Sequence, residues 1–591
     1  MEKRWVYKDK GNPDTINHLA DVLGVERVLA TLLVQRGIST YDEAKKFFRP
    51  SLEDLYDPFL MKDMQAAVDR IEKAIRGNER ILVYGDYDVD GTTAVALIYS
   101  FFQKRYSKIG YYIPDRYTEG YGISLKGIEY AADNGYSLII ALDCGIKAND
   151  KITFANQRKV DFIICDHHLP GEFIPQAVAV LDPKRLDCKY PFKELSGCGV
   201  GFKLLQAYCQ KNNIAMEELY QYLDLVAVSI ASDIVPVIDE NRILTFFGLQ
   251  KLNDNPSRGL RSIIRIAGIE KQQIAIDDIV FRIGPRINAA GRMESGKSAV
   301  DLLCAGDDLI AYEMGSIVNS CNNDRKNVDR TITHEALRMI ASDSKAQHRN
   351  TTVLFNPSWH KGVVGIVASR LIETYYRPTV VLTQSEGMAT GSARSVPGFD
   401  LYQAVESCAD LLESFGGHMY AAGLTMKVEK VQQFIERFEE VVSRTITPEL
   451  LIPQIDIDEQ LSLDEINDKF FRILKQFQPF GPGNMSPVFV TENVTDNGDG
   501  RLVGPDKEHI KLSLLHTDKT KTFPAIAFQL AEYYRRIHEG KPFDICYTIT
   551  ENIFRGETSL QIRVKDIKFE MYQTNKFDDP KERENTYLES H

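Results

Sequence analysis

The sequence predicts an α/β protein: a parallel-sheet domain, a long connecting helix, a second and smaller α/β unit, and a carboxy-terminal β-barrel. Three observations carry this. Between residue 81 and about residue 290, short apolar runs alternate with helix-like stretches, the rhythm of βαβ units. From Ile310 to Met339 apolar residues keep helical spacing with no proline. From Pro487 to Glu570, strand-like runs are separated by Asn-Gly-Asp-Gly, Gly-Pro-Asp and Arg-Gly-Glu turns.

Taken in order, residues 1 to about 75 read as helical: Thr15-Ile-Asn-His-Leu-Ala has capping character, and Met64 to Ile75 is amphipathic until Gly77. Strands are expected at Ile81 to Tyr84, Ser137 to Leu142 and Asp161 to Cys165, with helices at Ala94 to Lys104, Ser124 to Asn134 and Lys147 to Arg158. The stretch from Ile310 is one long helix, or two joined near Asn322-Asn323. The second unit reads as strand Thr352 to Phe355, helix Gly362 to Tyr375, strands Thr379 to Thr383 and Met388 to Arg394, and helix Leu401 to Glu413. It ends in a strand-like Gly423 to Met426 and an amphipathic helix Val428 to Arg444. Thr445 to Pro453, with two prolines, is the linker candidate. The expected boundaries are 1–75 for a helical segment packing on the core, 76–295, 296–349 for the connecting helix, 350–449, 450–572 for the barrel, and 573–591 for a charged tail.

A chain of 591 residues has room for roughly three to four domains, and 43% hydrophobic content supplies their cores. With 83 acidic against 71 basic residues the net charge is −12, which argues against coating a polyanion or membrane by bulk attraction. Local basic patches must do any such work. The nine cysteines are scattered with no Cys-x-x-Cys pair, so neither a disulfide framework nor a zinc knuckle is expected. No apolar run approaches the ~18 residues of a membrane span, and a soluble cytoplasmic protein is expected.

The chemistry concentrates in Tyr84-Gly-Asp-Tyr-Asp-Val-Asp-Gly-Thr-Thr. Asp86, Asp88 and Asp90 alternate, so if strand geometry persists they share one face. A polar turn with an N-capping Asp accounts for one of them; a divalent cation accounts for all three, because ionised carboxylates that close repel one another. Two further apolar runs end in Asp143 and in Asp166-His167-His168, and Asp233 follows the apolar run Leu225 to Ala231. In an open parallel sheet such ends line the ligand crevice. Carboxylates with imidazole and no thiolate suit Mn²⁺ or Mg²⁺, and two such ions can drive an in-line displacement at phosphorus.

Asp166-His167-His168, the Asp-x-Asp-x-Asp-Gly run, Asp143 and Ser232-Asp233 resemble the DHH phosphoesterase family. Tyr84 to Gly91, Pro114-Asp-Arg-Tyr-Thr-Glu-Gly-Tyr-Gly122 and Arg286-Ile-Asn-Ala-Ala-Gly-Arg292 are similar to its bacterial branch of single-strand-specific 5′ to 3′ exonucleases. Gly391-Ser-Ala-Arg394 and Gly416-Gly-His418 look like its associated second domain, and the last β-region resembles an OB-fold. The resemblance runs from about residue 50 to 570. It implies Asp88, Asp90, Asp143, His167 and Asp233 as ligands of two Mn²⁺ or Mg²⁺ ions, Asp143 bridging, with Asp86, Asp166 and His168 catalytic and His168 serving the phosphate. Which of Asp86, Asp88 and Asp90 meets which ion stays open, since the wider family carries a His where this chain has Tyr84.

Arg116, Ser392, Arg394, Gly416, Gly417 and His418 would then hold a 5′-phosphate, the guanidinium forks giving paired charge-assisted bonds. By itself Gly-Ser-x-Arg also reads as an edge strand with a solvated Arg. For the DNA strand the candidates are Arg286, Asn288 and Arg292, and in the barrel Phe554, Arg555, Arg563 and Lys565; Phe554 alternatively packs inside the barrel. Arg258 and Arg261 read equally as a solvated helix face. The function implied is degradation of single-stranded DNA from its 5′ end to 5′-mononucleotides, in recombination and repair, by a monomer whose partners are single-stranded DNA, a single-strand-binding protein and a repair helicase. Two alternatives stand beside it: a phosphoesterase of the same family for pyrophosphate, cyclic dinucleotides or short oligonucleotides, and a non-catalytic replication scaffold. The barrel and long helix speak against the first, and the intact set of acidic positions against the second.

Overall fold

The computed structural model describes residues 2–269, 273–516, 522–554 and 557–569. Two compact units divide the chain: residues 49–453 with 478–485, and residues 1–48 with 454–477 and 486–591.

The chain opens with β1 (Arg4–Tyr7), a strand where helix was expected, followed by helices Pro13–Leu23 and Arg27–Val34. The first helix is capped by Asn12, whose side chain accepts from Asp14 and Thr15 N–H, rather than by Thr15 itself. In the larger unit, β2 (Arg80–Gly85), β3 (Ile109–Tyr112), β4 (Tyr136–Leu142), β5 (Asp161–Cys165) and β6 (Ala179–Leu181) form an all-parallel sheet of order β3-β2-β4-β5-β6. Alternate residues feed opposite cores: Ile81, Val83, Leu138, Ile140 and Ile163 on one face, Leu82, Tyr84, Ile139, Phe162 and Ile164 on the other. Burial on both faces is why these strands read as unbroken apolar runs.

Beyond the sheet, Asp308–Ser342 is one uninterrupted helix, which settles the choice left at Asn322-Asn323. It leads to a mixed sheet of order β10-β11-β9-β8-β7, with β7 (Thr352–Phe355), β8 (Thr379–Ser385), β9 (Met388–Arg394), β10 (Ser414–His418) and β11 (Ala421–Lys427). The helix expected over Leu401 to Glu413 stops at Glu406, and β10 makes an antiparallel pair with β11. The Gly-Gly-His run therefore lies on a strand.

In the other unit, β1 pairs in parallel with β12 (Gln454–Ile457). After the short β13 (Glu459–Gln460), five strands close a barrel: β14 (Phe489–Asp496), β16 (His509–His516), β17 (Phe523–Ala527), β18 (Phe543–Phe554) and β19 (Glu557–Lys568). They run in the order β14-β18-β19-β17-β16, and β14 pairs again with β16; β15 (Arg501–Val503) extends β16. Closure removes the free edges that an open antiparallel sheet would expose. The expected tail, 573–591, lies outside the described residues. Among those described, no helix is long and apolar enough to cross a membrane.

Candidate active site

The acidic loop does not continue the strand. β2 ends at Gly85, and Asp88 is the N-cap of helix Val89–Gln103, accepting from Gly91 N–H at 3.0 Å. Asp86, Asp88 and Asp90 thus occupy a loop, an N-cap and a first helical turn, not the period-two face of a strand. Gly91 is required there, since a Cβ would lie 2.4 Å from the Asp86 carbonyl oxygen. Tyr84 is fully buried, donates to the Gly122 carbonyl at 2.9 Å and stacks on Tyr112. Its role is packing.

Around this turn the other predicted groups assemble. Asp143 follows β4 in the left-handed region at φ +60°, a conformation uncommon for a residue with a Cβ. It rests against Gly197, where any Cβ would lie 2.6 Å from its own. The His167 Nε2 atom lies 3.1 Å from Asp143 Oδ1, 3.5 Å from Asp233 Oδ2 and 3.7 Å from Asp90 Oδ2. Asp233 stands at the C-terminal end of helix Leu223–Ser232. Two sets of donor atoms are close enough for a cation each: Asp143, His167 and His168, and Asp90, His167 and Asp233.

The electrostatics ask for positive charge. Burial, then repulsion from Asp88, pushes the Asp86 carboxyl well up. Burial and the Asp90 and Asp88 charges do the same for Asp143, and Asp233 is pushed up to about 8 by the same causes. Both ring nitrogens of His167 and Asp86 Oδ2 are buried without a hydrogen-bond partner. Buried donors and acceptors of this kind are costly unless something engages them, and an oxygen-rich set with imidazole fits Mn²⁺ or Mg²⁺.

Asp166, expected among the catalytic groups, is spent on positioning. Its Oδ1 accepts from His167 N–H at 2.7 Å, His168 N–H at 3.2 Å and His168 Nδ1 at 2.7 Å; its Oδ2 accepts from Ile146 N–H at 2.9 Å. Burial opposes ionisation of Asp166, yet the hydrogen bond and charge of His168 hold it at about 2. Conversely, burial disfavours charged His168, but Asp166 overrides it and raises the ring to about 9. His168 keeps Nε2 for other groups, and the Tyr121 hydroxyl meets it at 3.1 Å.

The second cluster is cationic. Rows of the mixed sheet align Arg394, Ala421 and His418 in one line and Ser392, Gly423 and Gly416 in the next. Arg394 Nη1 donates to Ser392 Oγ at 2.5 Å and to the Ala393 carbonyl at 2.8 Å. A Cβ on Gly365, in the first turn of helix Val364–Thr374, would lie 2.9 Å from Arg394 Nη2. Gly416 has open space beside it, whereas Gly417 serves packing, since its Cβ would meet the Ala421 carbonyl at 2.3 Å. Arg292 Nη1 donates to the Gly362 carbonyl at 2.9 Å; burial, then the charges of Arg116, Arg325 and Arg394, lower it to about 10. Arg116 lies over the Tyr87 ring at 4.9 Å. His418 is held down by burial and by the charges of both Arg394 and His168, and in the sheet it lies in line with Arg394 across Ala421.

On helix Gly284–Met293, Asn288 and Arg292 are one turn apart and share a face, while Arg286 turns away and binds Asn319 Oδ1 of the long helix at 3.0 Å. The sequence reading missed Tyr87, which lies under Arg116, and Tyr121, which meets His168. Both had a local signal, inside the Tyr84 to Gly91 and Pro114 to Gly122 motifs. In the barrel, Arg563 and Lys565 are exposed on β19. Arg555 and the side chain of Phe554 lie outside the described residues. Among the described residues of the barrel, Phe528 is an exposed aromatic, with Arg563 5.1 Å over its ring and His509 4.9 Å from it.

Comparison with known proteins places these features in context. Family models match at residues 80–230 (DHH family, N-terminal domain), 348–444 (DHHA1 domain) and 457–566 (RecJ OB domain). The single-stranded-DNA-specific exonuclease RecJ of Bacillus subtilis (strain 168) is 34% identical over 572 residues, 96% of this chain and 71% of that protein. The protein of the same name from Escherichia coli (strain K12) is 31% identical, covering 91% of this chain and 95% of its own. The crystal structure of RecJ in complex with Mn²⁺ from Thermus thermophilus superposes with a TM-score of 0.82 at 25% identity, over 96% of this chain and 80% of that one.

Proposed function

The chain belongs to the RecJ family of single-stranded-DNA-specific exonucleases, and from that premise we propose how its residues divide the work of removing nucleotides one at a time from a 5′ end. Asp88, Asp90, Asp143, His167 and Asp233 hold two Mn²⁺ or Mg²⁺ ions, with Asp86 beside them. When bound, such ions activate water and neutralise charge on the phosphate under attack. His168, charged and oriented through Asp166, presents Nε2–H to a non-bridging phosphate oxygen. Arg394, Ser392, Arg116, Arg292 and His418 receive the terminal 5′-phosphate. The alignment of Arg394 with His418 across Ala421, with Arg292 tied to the Gly362 carbonyl, is the observation that supports this division most directly.

A phosphate pocket at fixed distance from the scissile bond selects one nucleotide per cut. Breaking the bond to the 3′ oxygen of the first nucleotide releases a 5′-mononucleotide and leaves a new 5′-phosphate on the strand. Each turnover thereby renews the group the pocket recognises. Along the barrel, Lys511, Ile526 and Arg563 lie in register across three strands, beside Phe528 and two residues from Lys565. This basic, partly aromatic face suits a single strand whose bases stack and whose phosphates pair with Lys and Arg. The proposal extends to a cytoplasmic monomer working with a single-strand-binding protein and a repair helicase.

The test is a panel of oligonucleotides labelled at either end, single- and double-stranded, with Mn²⁺, and pyrophosphate alongside. Mononucleotide release from the 5′ end of single strands alone is expected. Cleavage of pyrophosphate or of short oligonucleotides only would favour the small-substrate alternative, and binding without cleavage would favour the scaffold.

A further inference from the structure

Among the proposed metal ligands, Asp90 is the most heavily engaged carboxylate. Its Oδ2 accepts from Gly197 N–H at 2.6 Å, and its Oδ1 from Cys198 N–H at 2.7 Å and Ser229 Oγ at 2.7 Å. Gly197 and Cys198 open helix Gly197–Lys211, whose N-terminal N–H groups have no partner within the helix. Ser229 Oγ also lies 2.6 Å from Ser196 Oγ, which accepts from Gly199 N–H at 3.0 Å. Ser196 and Ser229 are both fully buried.

The proton inventory fixes a direction for this chain of contacts. A carboxylate only accepts, so Ser229 spends its single hydroxyl proton on Asp90. Ser196 must then donate to Ser229, which it is free to do because the Gly199 N–H supplies its own lone pair. The result is a directed relay, Gly199 N–H to Ser196 to Ser229 to Asp90, in which each bond polarises the next. Ser229 also acts through its backbone, since its carbonyl accepts from Asp233 N–H at 2.9 Å. Asp90 and Asp233 are two donors of the same cation group, completed by His167.

We infer that Ser229 is a positioning residue for metal binding: its hydroxyl sets Asp90 while its carbonyl sets Asp233, so one residue fixes the spacing of two ligands drawn from different helices. This rests on the reading that the site holds a divalent cation. Nothing in the sequence marks Ser229, which sits within the apolar run Leu225 to Ala231. Partners of metal ligands that make no contact with the ion typically change affinity by about 10- to 100-fold when removed.

The experiment is direct Mn²⁺ binding to the full-length protein, by calorimetry and by the electron-paramagnetic signal of unbound Mn²⁺, for the wild type, Ser229→Ala, Ser196→Ala and Asp143→Ala. Ser229→Ala should bind Mn²⁺ about 10- to 100-fold more weakly, with cleavage recovering at saturating Mn²⁺. Ser196→Ala, which leaves the Asp90 contact in place, should lose several-fold in the same direction and serves as the deciding variant if Ser229→Ala does not fold. A lowered melting temperature with unchanged Mn²⁺ affinity in the folded variant would overturn the inference, leaving Ser229 a packing residue. Failure of the underlying reading looks different: the wild type itself would bind no Mn²⁺, or Asp143→Ala would bind it undiminished.

Discussion

Replacing Arg394 with alanine isolates the recognition of the strand end. Arg394 Nη1 is committed to Ser392 and the Ala393 carbonyl, which leaves Nη2 and Nε for a ligand. One or two charge-assisted bonds to phosphate are therefore lost, each worth about 1.5–3 kcal/mol. The loss of one such bond corresponds to about ten- to 150-fold in the rate of removing a 5′-phosphorylated nucleotide. The assay must count the first cut only, because a strand that begins with a 5′-hydroxyl acquires a 5′-phosphate after one turnover. Single-turnover release of the terminal residue, from paired substrates differing only in that phosphate, meets the requirement. The 5′-hydroxyl strand should lose little. Equal losses on both substrates would refute the assignment and place Arg394 on some other group.

Asp143→Ala removes a donor set beside His167 at 3.1 Å and leaves the neighbouring carboxylates uncompensated, so hydrolysis should fall by orders of magnitude while circular dichroism reports an intact fold; substantial residual activity would remove Asp143 from the proposed ligands. Burial and mutual repulsion raise the folded-state values of Asp86, Asp88 and Asp143, and Asp233 to about 8, all above the ~3.9 of an unfolded Asp. The folded, chelator-treated protein therefore holds more protons than the unfolded chain, and the stability these groups contribute, present below about pH 4, is lost as pH rises through about 8. Its melting temperature should drop between about pH 6 and about pH 8, and Mg²⁺ or Mn²⁺ should restore more at the higher pH; a flat profile would show the carboxylates compensated by the protein alone. On the barrel, Lys511→Ala and Arg563→Ala should each reduce the salt slope of single-strand binding by about one, measured by anisotropy in Ca²⁺. Phe528→Ala should weaken binding with the slope unchanged, and wild-type behaviour from all three would assign that face to something other than DNA.

How much of this was legible in the sequence depended on range. Strands β2, β4 and β5 were readable because burial on both faces writes an unbroken apolar run, and the acidic residues at their ends were readable because a parallel sheet places its ligands there. The long helix showed through its apolar spacing alone. What failed was local geometry with a non-local cause. The Asp86-Asp88-Asp90 alternation looked like a strand face, but the chain turns at Gly85 because Asp88 caps a helix. The roles of Asp166 and Asp90 were hidden because they are set by N–H groups of residues as far away as Ile146 and Cys198.

By itself, then, the sequence determined the α/β class and the residue types that converge on a cation and a phosphate, since each is a property of neighbours along the chain. Tertiary structure alone decided which of those residues keep free donor atoms, and that Arg116, Arg292 and Arg394, hundreds of residues apart at the extremes, share one field. It also decided that the first 48 residues belong with the barrel unit, β1 pairing with β12, so that a chain cut near Pro448 would strip a strand of its partner. The physical reason is the same in each case. Periodicity reports how a segment meets a core, whereas pairing between distant strands and the partners of a buried carboxylate are settled only when the whole chain has packed.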